Sequence, residues 1–209
     1  ELENEVDELE EERDSVRYQV ANLLDESVPE GEGEEDNPEL RTWEPEEEGK
    51  DEDSELGADI IEENNLLKSE KAAEVVGERA YYLTNELVQL NQALTSFALD
   101  FIREKDFEIH QTPYMLEEDA ISAAVDMEAF EDQLYQVNEN NRYLIATAEH
   151  ALAAMQKDEV IEEGQLPLKL GGFSTNFRRE AGKHGKQTRG LWRVHQFEKV
   201  EQFMFTRPE

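Results

Sequence analysis

Residues 177–201 read FRREAGKHGKQTRGLWRVHQFEKVE, and the pattern at the two ends of this stretch decides the fold. Residues 166–179 and 191–205 are aromatic-rich segments of β type, joined by the Gly- and Lys-rich loop AGKHGKQTRG, and together they predict an antiparallel ribbon. Alternate residues of a strand point to one side. Arg178 and Glu180 are therefore expected on one face of the first strand. Arg193, Phe197 and Glu201, spaced by even steps, are expected on one face of the second. Paired, the strands would gather two guanidiniums, two carboxylates and a phenyl ring on one surface. Removing that much charge from water is costly unless a charged ligand offsets it. One reading is a solvated sheet face with cross-strand ion pairs. The other is a nucleotide site, with arginine for phosphate and the ring for stacking a base.

The distribution of charge sets the same segment apart. The 209 residues carry 53 acidic and 20 basic side chains, a net −33. Residues 1–70 hold 29 acids and 5 bases, residues 71–170 hold 20 and 7, and residues 171–209 hold 4 and 8. The summed field repels polyanions, yet the last segment alone is positive. With no cysteine, a disulfide framework, a thiolate zinc site and a cysteine nucleophile are excluded. No run approaches the roughly 18 consecutive apolar residues of a membrane span. The opening ELENEVDELEEERD has neither the basic start nor the apolar stretch of a signal peptide. The expectation is a soluble, cytoplasmic protein with no membrane partner.

Working back towards residue 1, three regions emerge. Over residues 1–25, Leu2, Val6, Leu9, Val16, Val20 and Leu23 alternate steps of four and three, with Arg13 in the one missing place, the seam of a coiled-coil arm. Three heptads do not stand alone in water, so this helix needs a partner. Residues 26–57 are an acidic linker broken by Gly and Pro, with Val28 and Trp43 as expected docking points. Residues 58–209 are globular in composition. Tyr81–Leu83 suits a short strand, Thr84 or Asn85 a helix cap, and Leu87, Leu90, Leu94, Phe97 and Phe101 an amphipathic helix to about Lys105. Residues 107–111 alternate and meet Pro113, as an edge strand does. Residues 134–137 and 143–147 form a hairpin pattern, and residues 149–156 are alanine-rich and helical. The fold class is α+β: an antiparallel sheet with flanking helices, preceded by the end of a helical arm.

Four segments, in order, carry a family resemblance. FRREAG…TRG…RVHQFEKVEQF (about 173–205) resembles motif 2 of class II aminoacyl-tRNA synthetases, in the form of the seryl-tRNA synthetases. LTNELVQLNQALTSFALDFIREKDFEIHQTPYM (about 84–114) resembles motif 1 of that family. RYLIATAEHALAAM carries its T-x-E element as Thr147-Ala148-Glu149, and ANLLDESVPEGEGEEDN is similar to its exit from a coiled-coil arm. The resemblance implies activation of serine with ATP to seryl-adenylate, then transfer of the seryl group to serine tRNA. It implies that Arg178 contacts the α-phosphate and serves catalysis and serine binding. Arg193 would assist the phosphates, Glu180 would hold the adenine amino group and Phe197 would stack on adenine. Thr147 and Glu149 would grip the serine amino group, and Glu201 would accept its hydroxyl. Lys183, Lys186 and Arg189 would touch the tRNA acceptor end. It further implies magnesium, a homodimer through motif 1, and the zinc-free form of the enzyme.

Elementary chemistry agrees with such a set. Attack of a carboxylate on an α-phosphorus needs two anions held in line and positive charge where negative charge accumulates. A carboxylate aimed at a hydroxyl selects against the analogue without one. His110, His150, His184 and His195 have no metal-binding spacing and read as structural or solvated. Gly171-Gly172 reads as permitting a bulge. Gln187 stands where the family commonly has an acidic residue. The family's motif 3 and first coiled-coil arm have no counterpart, so an incomplete part of the enzyme, inactive alone, is expected. Rival readings are a non-catalytic synthetase-like binding protein and an acidic coiled-coil scaffold.

Overall fold

The computed structural model describes residues 2–18, 20, 24–31, 33–43, 57–125, 127–130, 132–137, 141–180 and 193–207. Contacts divide the chain into two units, Glu1–Ser54 and Glu55–Glu209.

In the first unit the heptad pattern gives helix α1, Leu2–Tyr18, followed by a turn near Val28 and a single 3-10 turn at Glu34–Asp36. Its seam residues Leu2, Val6, Leu9 and Val16 are exposed. Leu23 lies outside the described residues. Trp43 is 79% and Val28 47% exposed. Ser27 donates both its amide and its hydroxyl to Asp25 Oδ1, and this local turn satisfies the backbone without burying Val28.

The second unit runs α2 (Gly57–Glu63), β1 (Leu67–Lys68), α3 (Ser69–Val76), β2 (Tyr82–Leu83), α4 (Glu86–Arg103), β3 (Glu108–Gln111), β4 (Met115–Glu117), α5 (Glu118–Ser122), α6 (Met127–Phe130), β5 (Tyr135–Val137), β6 (Arg142–Leu144), α7 (Ala148–Ala154), β7 (Leu168–Phe177) and β8 (Gln196–Phe205). The strands form three small sheets, ordered β1-β2, β3-β7-β8 and β4-β6-β5. The predicted ribbon is β7 and β8, antiparallel over ten residue pairs from Leu168↔Phe205 to Phe177↔Gln196. The returning strand begins at Gln196, later than residue 191. Strand β3 joins the ribbon's other edge in parallel, so the site sheet is not wholly antiparallel. The hairpin pattern is β5 and β6.

Helices cover both faces of β7, and its glycines let them. A Cβ on Gly171 would sit 2.7 Å from Ile102 Cδ1 of α4, and one on Gly172 would sit 2.7 Å from Ala148 Cβ of α7. The register through both is continuous, so these glycines serve close helix approach rather than a bulge. A core of Leu116, Ile121, Leu134, Ile145, Ala146 and Ala151 fills the space between the β4-β6-β5 sheet, α5 and α7. Of the two candidate caps of α4, Asn85 occupies the N-cap position. Asn85 has φ 49° and makes no side-chain cap bond, and the Thr84 hydroxyl donates to the Asn65 carbonyl at 3.3 Å. Helix α4 rests on the sheet through Asn91, Thr95, Ala98 and Ile102, while Leu90, Leu94, Phe97 and Phe101 stand exposed.

Candidate active site

On β8, Phe197, Lys199 and Glu201 alternate onto one face. Glu201 is paired with Gly172, whose Cβ direction meets α7, so this face looks towards the start of α7. There the Glu201 carboxylate is held from three sides. Ala148 N–H donates to Oε2 at 2.6 Å, the Thr147 hydroxyl donates to Oε1, and the Lys199 ammonium lies 2.6 Å from Oε1. The Lys199 ammonium also donates to the Thr147 hydroxyl at 3.1 Å. Thr147 is the N-cap residue of α7 but makes no cap bond of its own. Glu201 takes that place from another strand, where the helix dipole favours an anion. Burial pushes the Glu201 carboxyl upward, but the bonds from Lys199, Thr147 and Ala148 outweigh it and hold the carboxyl below its ordinary value.

At the far end of the same face, the Arg178 guanidinium lies 5.1 Å over the Phe197 ring, and its Nε donates to the Ala146 carbonyl at 3.2 Å. Ala146 immediately precedes Thr147, so one short segment touches both ends of the cluster. Arg178 and Phe197 thus share a side of the ribbon with Thr147 and Glu201. Two expected placements differ. Strand β7 ends at Phe177, and Glu180 follows with φ 50°, so Arg178 and Glu180 do not alternate along a strand. Arg193 lies ahead of β8. The two side chains still meet, with Arg193 Nη1 3.0 Å from Glu180 Oε2. Glu149 is exposed in the first turn of α7 and makes none of these bonds. Lys183, Lys186, Arg189 and His184 lie outside the described residues.

Lys199 escapes the sequence reading, while His150, read there as structural, is buried. Lys199 shares the even spacing of Phe197 and Glu201, and that spacing was its available signal. His150, 1% exposed in α7, has Nδ1 without a hydrogen-bond partner. Burial pushes its imidazole down from 6.5 to about 4, with Glu201 pulling it upward and Arg178 and Lys199 pushing it further down. A cavity of about 1070 Å³ opens on the α4 side of the ribbon, between Tyr81, Val88, Phe173 and Phe177. Gln196, Phe197 and Glu198 of β8 also line it.

Comparison with known proteins places this geometry in a family. Residues 129–209 match the model of the tRNA synthetase class II core domain (G, H, P, S and T). The serine–tRNA ligase of Nitrosopumilus maritimus is 44% identical over the whole chain. The chain belongs to the seryl-tRNA synthetase family. It spans 49% of the length of that relative and 52% of the serine–tRNA ligase of Thermoplasma volcanium, to which it is 40% identical over its full length. Among solved structures, the seryl-tRNA synthetase of Pyrococcus horikoshii complexed with ATP superposes with a TM-score of 0.84 at 38% identity, covering 99% of this chain and 51% of that one. The cytoplasmic serine–tRNA ligase of Naegleria fowleri in complex with AMP gives 0.87 at 36% identity, covering 99% and 49%. The α+β class II fold of the seryl-tRNA synthetases is therefore the fold of this chain.

Proposed function

We propose that the Arg178–Phe197–Glu201–Thr147 face is the seryl-adenylate site of a serine–tRNA ligase. The observation that supports it best is the side they share: guanidinium against ring at one end, and carboxylate against hydroxyl and ammonium at the other. The relatives solved with ATP and with AMP support an adenylate as the occupant. In this reading the serine carboxylate attacks the α-phosphorus of ATP, the bond to pyrophosphate breaks, and pyrophosphate leaves. The terminal adenosine of serine tRNA then takes the seryl group and AMP departs.

Each side chain has a task that its chemistry suits. Arg178 binds the α-phosphate and neutralises the charge that grows there in the transition state. Phe197 stacks on adenine, Glu180 accepts from its amino group, and Arg193 steadies Glu180 and the phosphates. Thr147 and Glu149 take the serine ammonium. Glu201 accepts the serine hydroxyl, for which it has room, because a carboxylate offers about four lone-pair positions and three are engaged. Lys199, on the same face as Phe197 and Glu201, keeps Glu201 ionised. Lys183, Lys186 and Arg189 are assigned to the tRNA acceptor end. Among the described residues no group of three or more His, Asp or Glu could hold a metal ion. Magnesium would therefore be bound mainly through the nucleotide's own phosphates, and no step here runs through it. The exposed stripe of α4 is the proposed contact with a second copy of the chain.

Serine-dependent exchange of pyrophosphate into ATP tests the reading, measured on this chain within a polypeptide of the length of its relatives. Arg178→Ala should reduce the exchange at least about 100-fold, as loss of a charge-stabilising donor does. Exchange at the unaltered rate in that variant would refute the assigned role.

A further inference from the structure

The antiparallel register ends at Phe177 opposite Gln196, and its next step sets Arg178 opposite His195. In a hydrogen-bonded pair of this kind each residue donates its amide to the other's carbonyl. Only half of that exchange is made by backbone here. Arg178 N–H donates to the His195 carbonyl at 2.9 Å, but His195 N–H is diverted to the Arg79 carbonyl at 3.0 Å. The imidazole replaces the diverted amide: His195 Nδ1 donates to the Arg178 carbonyl at 2.8 Å. A carbonyl only accepts, so Nδ1 carries the hydrogen. The Tyr135 hydroxyl oxygen lies 3.0 Å from the same nitrogen, with its ring edge-on to the imidazole. The neighbouring residues are tied as well. Arg179 N–H donates to the Gln133 carbonyl at 2.9 Å, and the Arg79 guanidinium donates to the Glu180 carbonyl.

The ladder is thus opened by a wedge, the Arg79 carbonyl, and closed again by a side chain, at the residue whose guanidinium lies over Phe197. We infer that His195 is a positioning residue for Arg178: its Nδ1–H replaces a ladder bond and fixes the backbone from which the guanidinium is aimed. This inference rests on the phosphate-binding reading of Arg178. The geometry also specifies the substitute. An asparagine amide nitrogen lies as many bonds from Cα as Nδ1 does, whereas a glutamine amide lies one bond too far.

The test is the same serine-dependent exchange, in the same full-length context. His195→Gln should lower kcat by roughly 100-fold, the cost of a misplaced catalytic group, with KM for serine within about twofold of the unaltered value. His195→Asn should restore kcat to within about threefold of unaltered. Equal loss in both variants, or none in His195→Gln, would overturn the inference, because a merely structural histidine has no reason to distinguish Asn from Gln. Nitrogen chemical shifts of the His195 imidazole provide a readout that needs neither activity nor a stable variant. The Nδ1–H tautomer is expected, and the Nε2–H tautomer would overturn the inference. Absence of exchange in the unaltered protein is a different result, refuting the functional reading while the tautomer still judges His195.

Discussion

Glu201 shows how much one side chain can organise. Its carboxylate sits at the start of a helix it does not belong to, pairs with Lys199 two residues away on its own strand and accepts from the Thr147 hydroxyl. Because its folded pKa is lowered, the stability it contributes is present above the ordinary carboxylate value and is lost as the pH falls through the folded one. His150 beneath it also works against the fold in acid. Between its ordinary 6.5 and its folded value of about 4, the unfolded chain takes up a proton that the native protein refuses, so stability falls as pH drops through that window. The loss across the window is about 3 kcal/mol. His150→Leu should flatten this limb in thermal unfolding followed from pH 7 to pH 4, and an unchanged slope would contradict the account. The shared face of Phe197 and Glu201 was legible in the sequence because even spacing along one strand puts them there, whereas the alternation expected of Arg178 and Glu180 is broken by the positive φ of Glu180. The part played by His195 was not legible, since the diversion of its amide to Arg79 depends on a residue more than a hundred positions earlier.

Among the elements, α4 separates what periodicity reveals from what it hides. The stripe Leu87–Leu90–Leu94–Phe97–Phe101 located the helix within two residues at its C-terminal end, yet most of the stripe faces away from the sheet. The side that packs is the plainer Asn91, Thr95, Ala98 and Ile102, with Asn91 donating to Glu198 at 3.0 Å. The dimer contact proposed for the outer stripe of α4 can be tested on its own. Leu94→Glu combined with Phe97→Glu should leave folding intact, since both positions are about two-thirds exposed. The pair should halve the particle mass in sedimentation relative to a dimeric parent, and a monomeric parent would rule out this surface. The glycines of β7 misled for a related reason. A double glycine in a strand is compatible with a bulge or with close packing, and only the positions of Ile102 and Ala148 decide between them.

At the scale of the whole molecule, charge and fold divide the labour. The acidic majority lies before residue 171, and the positive balance gathers in residues 171–209. Ribbon, hairpin and helix order were legible because each is a local pattern. The parallel docking of β3 was not, because it joins segments about sixty residues apart. The proposed function requires this face to recognise a serine hydroxyl beside an adenylate. Calorimetric titration with non-hydrolysable seryl- and alanyl-adenylate mimics, on the chain within a polypeptide of its relatives' length, tests it most directly. A preference for the seryl mimic of about 10⁴-fold, as a site built around a hydroxyl gives, and its collapse in Glu201→Gln, is the predicted result. Equal affinity for the two mimics would contradict it.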